Sequence, residues 1–290
     1  MRRSVLSILA LTAALALLMA PQAGRAAQCT PVPGVDTFLD SAKTYFVVGD
    51  LHGTAEIPAM VADIACAAAV KFHKVVLALE FPVTNAEALS NFSRHPESPA
   101  AALPFFAADP GGMADGRSSV AMARMLEHVR TLAGPDIAVS FVPFQPVPAS
   151  SDPGLYEKAM AVGIIAAHQA HPDAKILIFV GRTHARKAPT DRNGALLPMA
   201  ATLPARETVS LDVSPTGGSA WNCRGTSLTL TDVKCGPNPL GEAADIPPAG
   251  ITMISGAAYD GTLSVGKPFS ASPPVAPPAS SQSVIGRQGG

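Results

Sequence analysis

The sequence predicts an α/β protein with a mostly parallel central sheet, helices on both faces, and a small C-terminal region of turns and strands. Three observations carry this. Strand-like and helical periodicities alternate along the chain. The strand runs are continuously apolar, as strands buried on both faces are. After Ser214 the pattern changes to turns and short strands.

Tyr45 to Val48 is a first strand running into Gly49, and Ile57, Met60, Val61, Ile64 and Ala68 follow at helical spacing. Val75 to Leu79 is a second strand. The stretch from Asn85 to Met113 is longer and less regular, which suggests an insertion or lid near the strand ends. Ser118 and Ser119 open a helix that places Ala123, Leu126, Val129 and Leu132 on one face, and Ile137 to Val142 is a third strand. Asp152 followed by Pro153 reads as N-cap and first helical residue, with the helix stopping near His171 before Pro172. Lys175 to Val180 and Glu207 to Val213 complete the strands. The expected organisation is a signal peptide over 1–27, a lead-in over 28–44, an α/β domain over 45–213, a disulfide-bearing β-rich extension over 214–265, and a disordered Pro/Ser tail over 266–290.

Of the 290 residues, 48% are hydrophobic and 15% charged, enough apolar material for a sizeable core. Arg2 and Arg3 precede an apolar run from Val5 to Leu18, and small residues surround Ala23 to Ala27, the pattern of a cleaved secretory leader. The run is short for a membrane anchor, and Gln28 before Cys29 is too bulky for a lipidation box. A periplasmic or secreted protein, not membrane-spanning after cleavage, is the expectation. Without the leader's three arginines the balance is 18 basic against 22 acidic residues, about −4, which argues against a nucleic-acid partner. In an oxidising compartment Cys223 and Cys235, flanking the strand-like stretch from Thr226 to Val233, are expected to pair. Cys66 sits in a helical pattern, where a small buried hydrophobe is the plain reading, and the four cysteines allow three pairings, so that of Cys29 with Cys66 stays open.

The chemistry concentrates at three strand ends. The first strand leads into Gly49-Asp50-Leu51-His52-Gly53-Thr54, the second into Glu80, and the fourth into Gly181-Arg182-Thr183-His184. In a parallel sheet these ends share one edge, where α/β folds bind ligands. Two imidazoles and a carboxylate can activate a water, bind a divalent metal or ligate a haem iron. His52, Glu80 and His184 are therefore candidate catalytic residues and candidate metal ligands. Arg117, in the loop before the Ser118 helix, is a fourth candidate that could meet an anionic group. Asp50, Glu56 and Arg182 are candidate orienting or substrate-binding groups. His73, His95, His128, His168 and His171 fall at helix surfaces, helix ends or loops and read as structural.

These elements resemble the ChaN/Tiki/TraB/erythromycin-esterase superfamily, whose members carry paired Gly-x-x-His elements, an intervening Glu and often an Arg. His52-Gly53-Thr54-Ala55-Glu56 is similar to the esterase branch, and Phe179 to Ala185 is similar to the last motif of the ChaN-like branch. Asp50 stands where those branches usually carry Glu, and Arg182 where an uncharged residue is more usual. The resemblance implies an α/β fold with its site at the strand ends. It leaves two readings of function open. One is a hydrolase of ester or peptide bonds in a small-molecule or peptide substrate, in which an activated water, with or without a metal, attacks. The other is a haem- or iron-binding protein without catalysis. Absence of G-x-S-x-G, H-E-x-x-H, P-loop and G-x-G-x-x-G patterns removes serine hydrolases, zincins and nucleotide enzymes as leading readings.

Overall fold

The computed structural model describes residues 29–107, 116–147, 149–190, 196–224, 234–254, 256 and 258–275. The expected leader, the strand-like stretch Thr226–Val233 and residues 276–290 lie outside them. The described chain runs through helix α1 (Val35–Phe38), strand β1 (Tyr45–Asp50), α2 (Glu56–Phe72), β2 (Lys74–Pro82), α3 (Ala86–Arg94), α4 (Pro104–Ala107), α5 (Val120–Arg130), β3 (Ala138–Gln145), α6 (Pro153–Ala170), β4 (Lys175–Gly181), α7 (Met199–Thr202), β5 (Thr208–Val213), β6 (Ser219–Arg224), β7 (Lys234–Pro239), β8 (Gly250–Met253) and β9 (Gly261–Ser264).

Among the described residues the central sheet has the order β3-β2-β4-β1-β5-β9-β8. Every pairing in it is parallel except that of β8 with β9. Alternate residues of one strand feed opposite cores. Phe46 and Val48 of β1 pack with Ile57, Val61 and Ile64 of α2 and Met125 and Leu126 of α5. Tyr45 and Val47 pack on the other face with Met160 and Ile164 of α6. Both faces are covered, which is why β1 is apolar without alternation.

Helix starts follow local chemistry. Asp152 caps α6, its carboxylate accepting the Gly154 and Leu155 amides, with Pro153 in the first turn where no amide is needed. Ser119 caps α5 by accepting the Met122 amide. Inside the expected lid, α3 and α4 form, and Phe105 and Phe106 pack on Phe81 of β2.

The sheet departs from the expected boundaries in two ways. It does not end at residue 213, because β9 pairs with β5 and β8 with β9. The segment from Gly266 to Val275 is also built into the fold, with Phe269 only 3% exposed. The Pro/Ser composition that suggested a disordered tail conceals a stretch that satisfies its backbone groups on neighbouring loops rather than in a strand.

The expected Cys223–Cys235 disulfide closes the antiparallel β6–β7 pair, with Cα atoms 3.9 Å apart. Cys66, whose pairing the sequence left open, is not a free hydrophobe. It is bonded to Cys29, 5.5 Å away between Cα atoms, and ties the start of the described chain to α2. On the chain-entropy account, a loop of the size closed by Cys29–Cys66 contributes about 4 kcal/mol and one of the size closed by Cys223–Cys235 about 3 kcal/mol. Denaturant titrations of the two double-Ser variants should therefore show the larger stability loss for Cys29→Ser/Cys66→Ser.

Candidate active site at the sheet's carboxyl edge

The strand order makes the three motif strands immediate neighbours: β2 pairs with β4, and β4 with β1. Their carboxyl ends therefore deliver Glu80, Gly181 and Asp50 side by side, and Asp50 is in register with Gly181. Glu80 lies within β2 rather than after it, since the strand continues to Pro82.

Glu80 is the hub. One carboxylate oxygen accepts the Gly181 amide at 2.7 Å, and the other accepts Arg117 at 3.2 Å. His52 Nε2 lies 3.6 Å from the first oxygen and His184 Nε2 lies 3.8 Å from the second. Neither imidazole is in hydrogen-bond contact with Glu80, although both Nε2 atoms lie within ion-pair distance of it. Gly181 has no side chain for a geometric reason. A Cβ there would lie 3.0 Å from His52 Nε2 and 3.4 Å from Glu80 Oε2, inside the space the two groups use.

Each imidazole is held from behind by a buried carboxylate. Asp50 Oδ2 lies 2.7 Å from His52 Nδ1, and Glu157 Oε1 lies 2.6 Å from His184 Nδ1. The second oxygen of Glu157 accepts the Met199 amide. These contacts place the Nδ1 proton on the carboxylate side and turn both Nε2 atoms toward Glu80. Burial alone would lower the His52 pKa, but the Asp50 charge and hydrogen bond, with Glu80, outweigh it and push it up to about 9. His184 is also raised: burial opposes charge, and Glu157 and Glu80 overcome it.

The structure thus gathers His52, Glu80, His184, Arg117 and Asp50. It places two other candidates outside that cluster. Glu56 accepts the Ser270 amide and faces Lys267, so it anchors the C-terminal segment instead of orienting His52. Arg182 forms a two-pronged pair with Asp212 of β5, and its carbonyl accepts the Tyr259 hydroxyl. Glu157 was not among the sequence candidates. Its signal was an acidic residue on the face of α6 that otherwise carries Met160, Ala161 and Ile164.

The arrangement does not fit a metal ion. Among the described residues no three His, Cys, Asp or Glu side chains are grouped to hold one. Both oxygens of Glu80 are already engaged by donors, one of them a guanidinium that repels cations.

No family profile and no curated protein matches the sequence. Solved structures share the fold. A succinoglycan biosynthesis protein aligns with a TM-score of 0.54 at 10% identity, over 70% of this chain and 72% of that one. A Bacillus cereus protein aligns with a TM-score of 0.56 at 12% identity, over 75% of each chain. An erythromycin esterase mutant in its open conformation aligns over 69% of this chain and 77% of that one at 13% identity, with a TM-score of 0.35.

Glu157→Gln keeps the shape and removes the charge. The His184 titration midpoint, followed by NMR, should fall toward or below its ordinary value of about 6.5, because burial then dominates. The amide has one acceptor where the carboxylate has two, so a loss of about 1–3 kcal/mol in stability accompanies it.

Proposed function

We propose that this chain is an exported hydrolase of ester or peptide bonds, built on the ChaN/Tiki/TraB/erythromycin-esterase pattern, that attacks a small-molecule or peptide substrate with an activated water. The observation that carries the reading is the pair of carboxylate-backed imidazoles with both Nε2 atoms turned to one buried carboxylate. Such a set fixes tautomer and orientation, as proton transfer at a defined atom requires.

In this reading a water bound beside His52 Nε2 and Glu80 attacks the substrate carbonyl. His52 Nε2 takes the water's proton, and Asp50 steadies the imidazolium that forms. Glu80 orients the water. Arg117 and His184 face the oxyanion as the new C–O bond forms. His52 then returns its proton to the leaving group as the old bond breaks. No step needs a metal. The alternative, a haem- or iron-binding protein without catalysis, draws no comparable support from a site whose imidazoles are held in place for proton transfer. Two disulfides, and the absence among the described residues of a helix long and apolar enough to cross a membrane, are compatible with a periplasmic or extracellular location.

The raised His52 pKa of about 9 sets the pH dependence. Only neutral imidazole can act as base, so kcat/KM on aryl or alkyl esters should rise roughly tenfold per pH unit from neutrality and level off above about 9. His52→Ala should remove that rise and cost about 10²–10⁴ in rate. Activity that instead falls as pH increases through this range would assign His52 the role of acid.

A further inference from the structure

The first part of the segment expected to be a disordered tail bonds to the two loops that carry His52 and Arg117. It enters at Phe269, whose carbonyl accepts the Ser219 amide of β6 and whose amide reaches the Gly217 carbonyl. The Ser270 carbonyl then accepts the Ala55 amide, and Glu56 accepts the Ser270 amide. Ser272 donates its amide to the Gly53 carbonyl at 2.7 Å, and its hydroxyl accepts the Ala121 amide at 3.0 Å. The Pro273 carbonyl accepts the Val120 amide, and Val275 donates to the Ser118 carbonyl.

These bonds solve a local problem. The first amides of a helix have no partner within it. Helix α2 has Ala55 at its N-cap, with no side chain to accept them; the Ser270 carbonyl accepts the Ala55 amide itself and so pins the residue from which the helix starts. In α5, Ser119 serves only the Met122 amide, while the segment serves Val120 and Ala121. One extended strap therefore caps α5 and pins the residue that opens α2, the two helices whose leading loops carry site residues. Gly53 follows His52 and Gly116 precedes Arg117, and the two backbones touch. A Cβ on Gly116 would lie 2.3 Å from the Gly53 Cα. Ser272 is 4% exposed and bridges these two loops from one residue.

We propose that the strap, residues 269–275, is part of the active-site scaffold, and that Ser272 is a positioning residue fixing the His52 loop against the Arg117 loop. The proposal rests on the hydrolase reading for its catalytic consequence but not for its structural one. Ser272 touches neither substrate nor reacting atoms. Its backbone amide holds the Gly53 carbonyl, which also accepts the Trp221 amide, and its hydroxyl holds the start of α5. Small displacements of reacting groups are costly in rate, on the order of 10²-fold for about 1 Å. Loosening the strap should therefore lower kcat more than it raises KM.

The experiment compares the full chain with Ser272→Ala, Ser272→Thr and a truncation after Val275. Hydrogen exchange is followed by mass spectrometry over 50–58 and 116–124, with α6 as internal reference. Ester turnover is measured at a temperature where circular dichroism shows each protein folded. Ser272→Ala loses the hydroxyl bond to Ala121 but keeps the amide bond to Gly53, so exchange should speed about tenfold or more over 116–124 and by a smaller factor over 50–58 while α6 is unchanged, and kcat should fall about tenfold with KM within twofold. Ser272→Thr, which retains the hydroxyl, should restore both, and the truncation after Val275 should match the full chain. Unchanged exchange over 116–124, exchange that rises equally in α6, or a kcat preserved in folded Ser272→Ala overturns the proposal. If His52→Ala retains full turnover, or the full chain hydrolyses no ester, the hydrolase reading fails instead, and the exchange data alone decide whether the strap couples the loops.

Discussion

A buried carboxylate cannot stay charged without compensation, and Glu80 sits only 7% exposed at the carboxyl end of β2. The rest of the site is arranged around that constraint. The Gly181 amide and the Arg117 guanidinium satisfy its two oxygens, and two imidazoles face it with raised pKa values. Those imidazoles bring Asp50 and Glu157 with them, because a buried cation needs a partner as much as a buried anion does. Three carboxylates thus face one guanidinium and two imidazoles. The cluster approaches neutrality only when both imidazoles carry protons. The first proton to leave does so against the field of the whole set, and the pKa of His52 reflects that.

The fold was largely legible because the strands are buried on both faces. Continuous apolar runs such as Tyr45 to Val48 and Val75 to Leu79 marked them, and Asp152-Pro153 and Ser119 marked helix starts through side-chain chemistry that needs no tertiary context. Strand order was not legible. It depends on which crossovers pack against which face, and only the order β2-β4-β1 brings Glu80, Gly181 and Asp50 together. The candidates at the strand ends were readable for the same reason the strands were: a polar residue following an apolar run stands out.

What stayed hidden was polar chemistry answered from far along the chain. Glu157 was visible as an acid on an apolar helix face, but its partner His184 lies 27 residues away. Glu56 looked like an orienting group for His52 because it follows by four residues, yet its partner is Ser270, 214 residues distant. Cys66 looked like a small hydrophobe, and its sulfur is bonded to Cys29. The strap is the extreme case. Residues 269–275 lie in a stretch with the composition of an unstructured linker, and composition reports how much apolar surface a segment can bury, not whether its polar groups can accept the helix-start amides that a capping side chain leaves over.

One titration links activity and stability. The folded His52 pKa of about 9 exceeds its ordinary value of 6.5, so the folded protein holds this proton more tightly than the unfolded chain. The resulting stabilisation is complete below about 6.5, where both states are protonated, and is lost progressively as pH rises through about 9. The same rise creates the neutral imidazole that the hydrolase reading needs. Between these limits the protein should gain turnover while losing resistance to denaturant, both through one group. Replacing His52 with Asn should remove its contribution to the slope of unfolding free energy against pH in this window, leaving only what His184 contributes with the same sign. If wild-type and His52→Asn proteins showed identical slopes in urea titrations at pH 6.5, 7.5 and 9, the Asp50–His52 pair would not be holding a proton. The base role would then pass to an imidazole that is already neutral near pH 7.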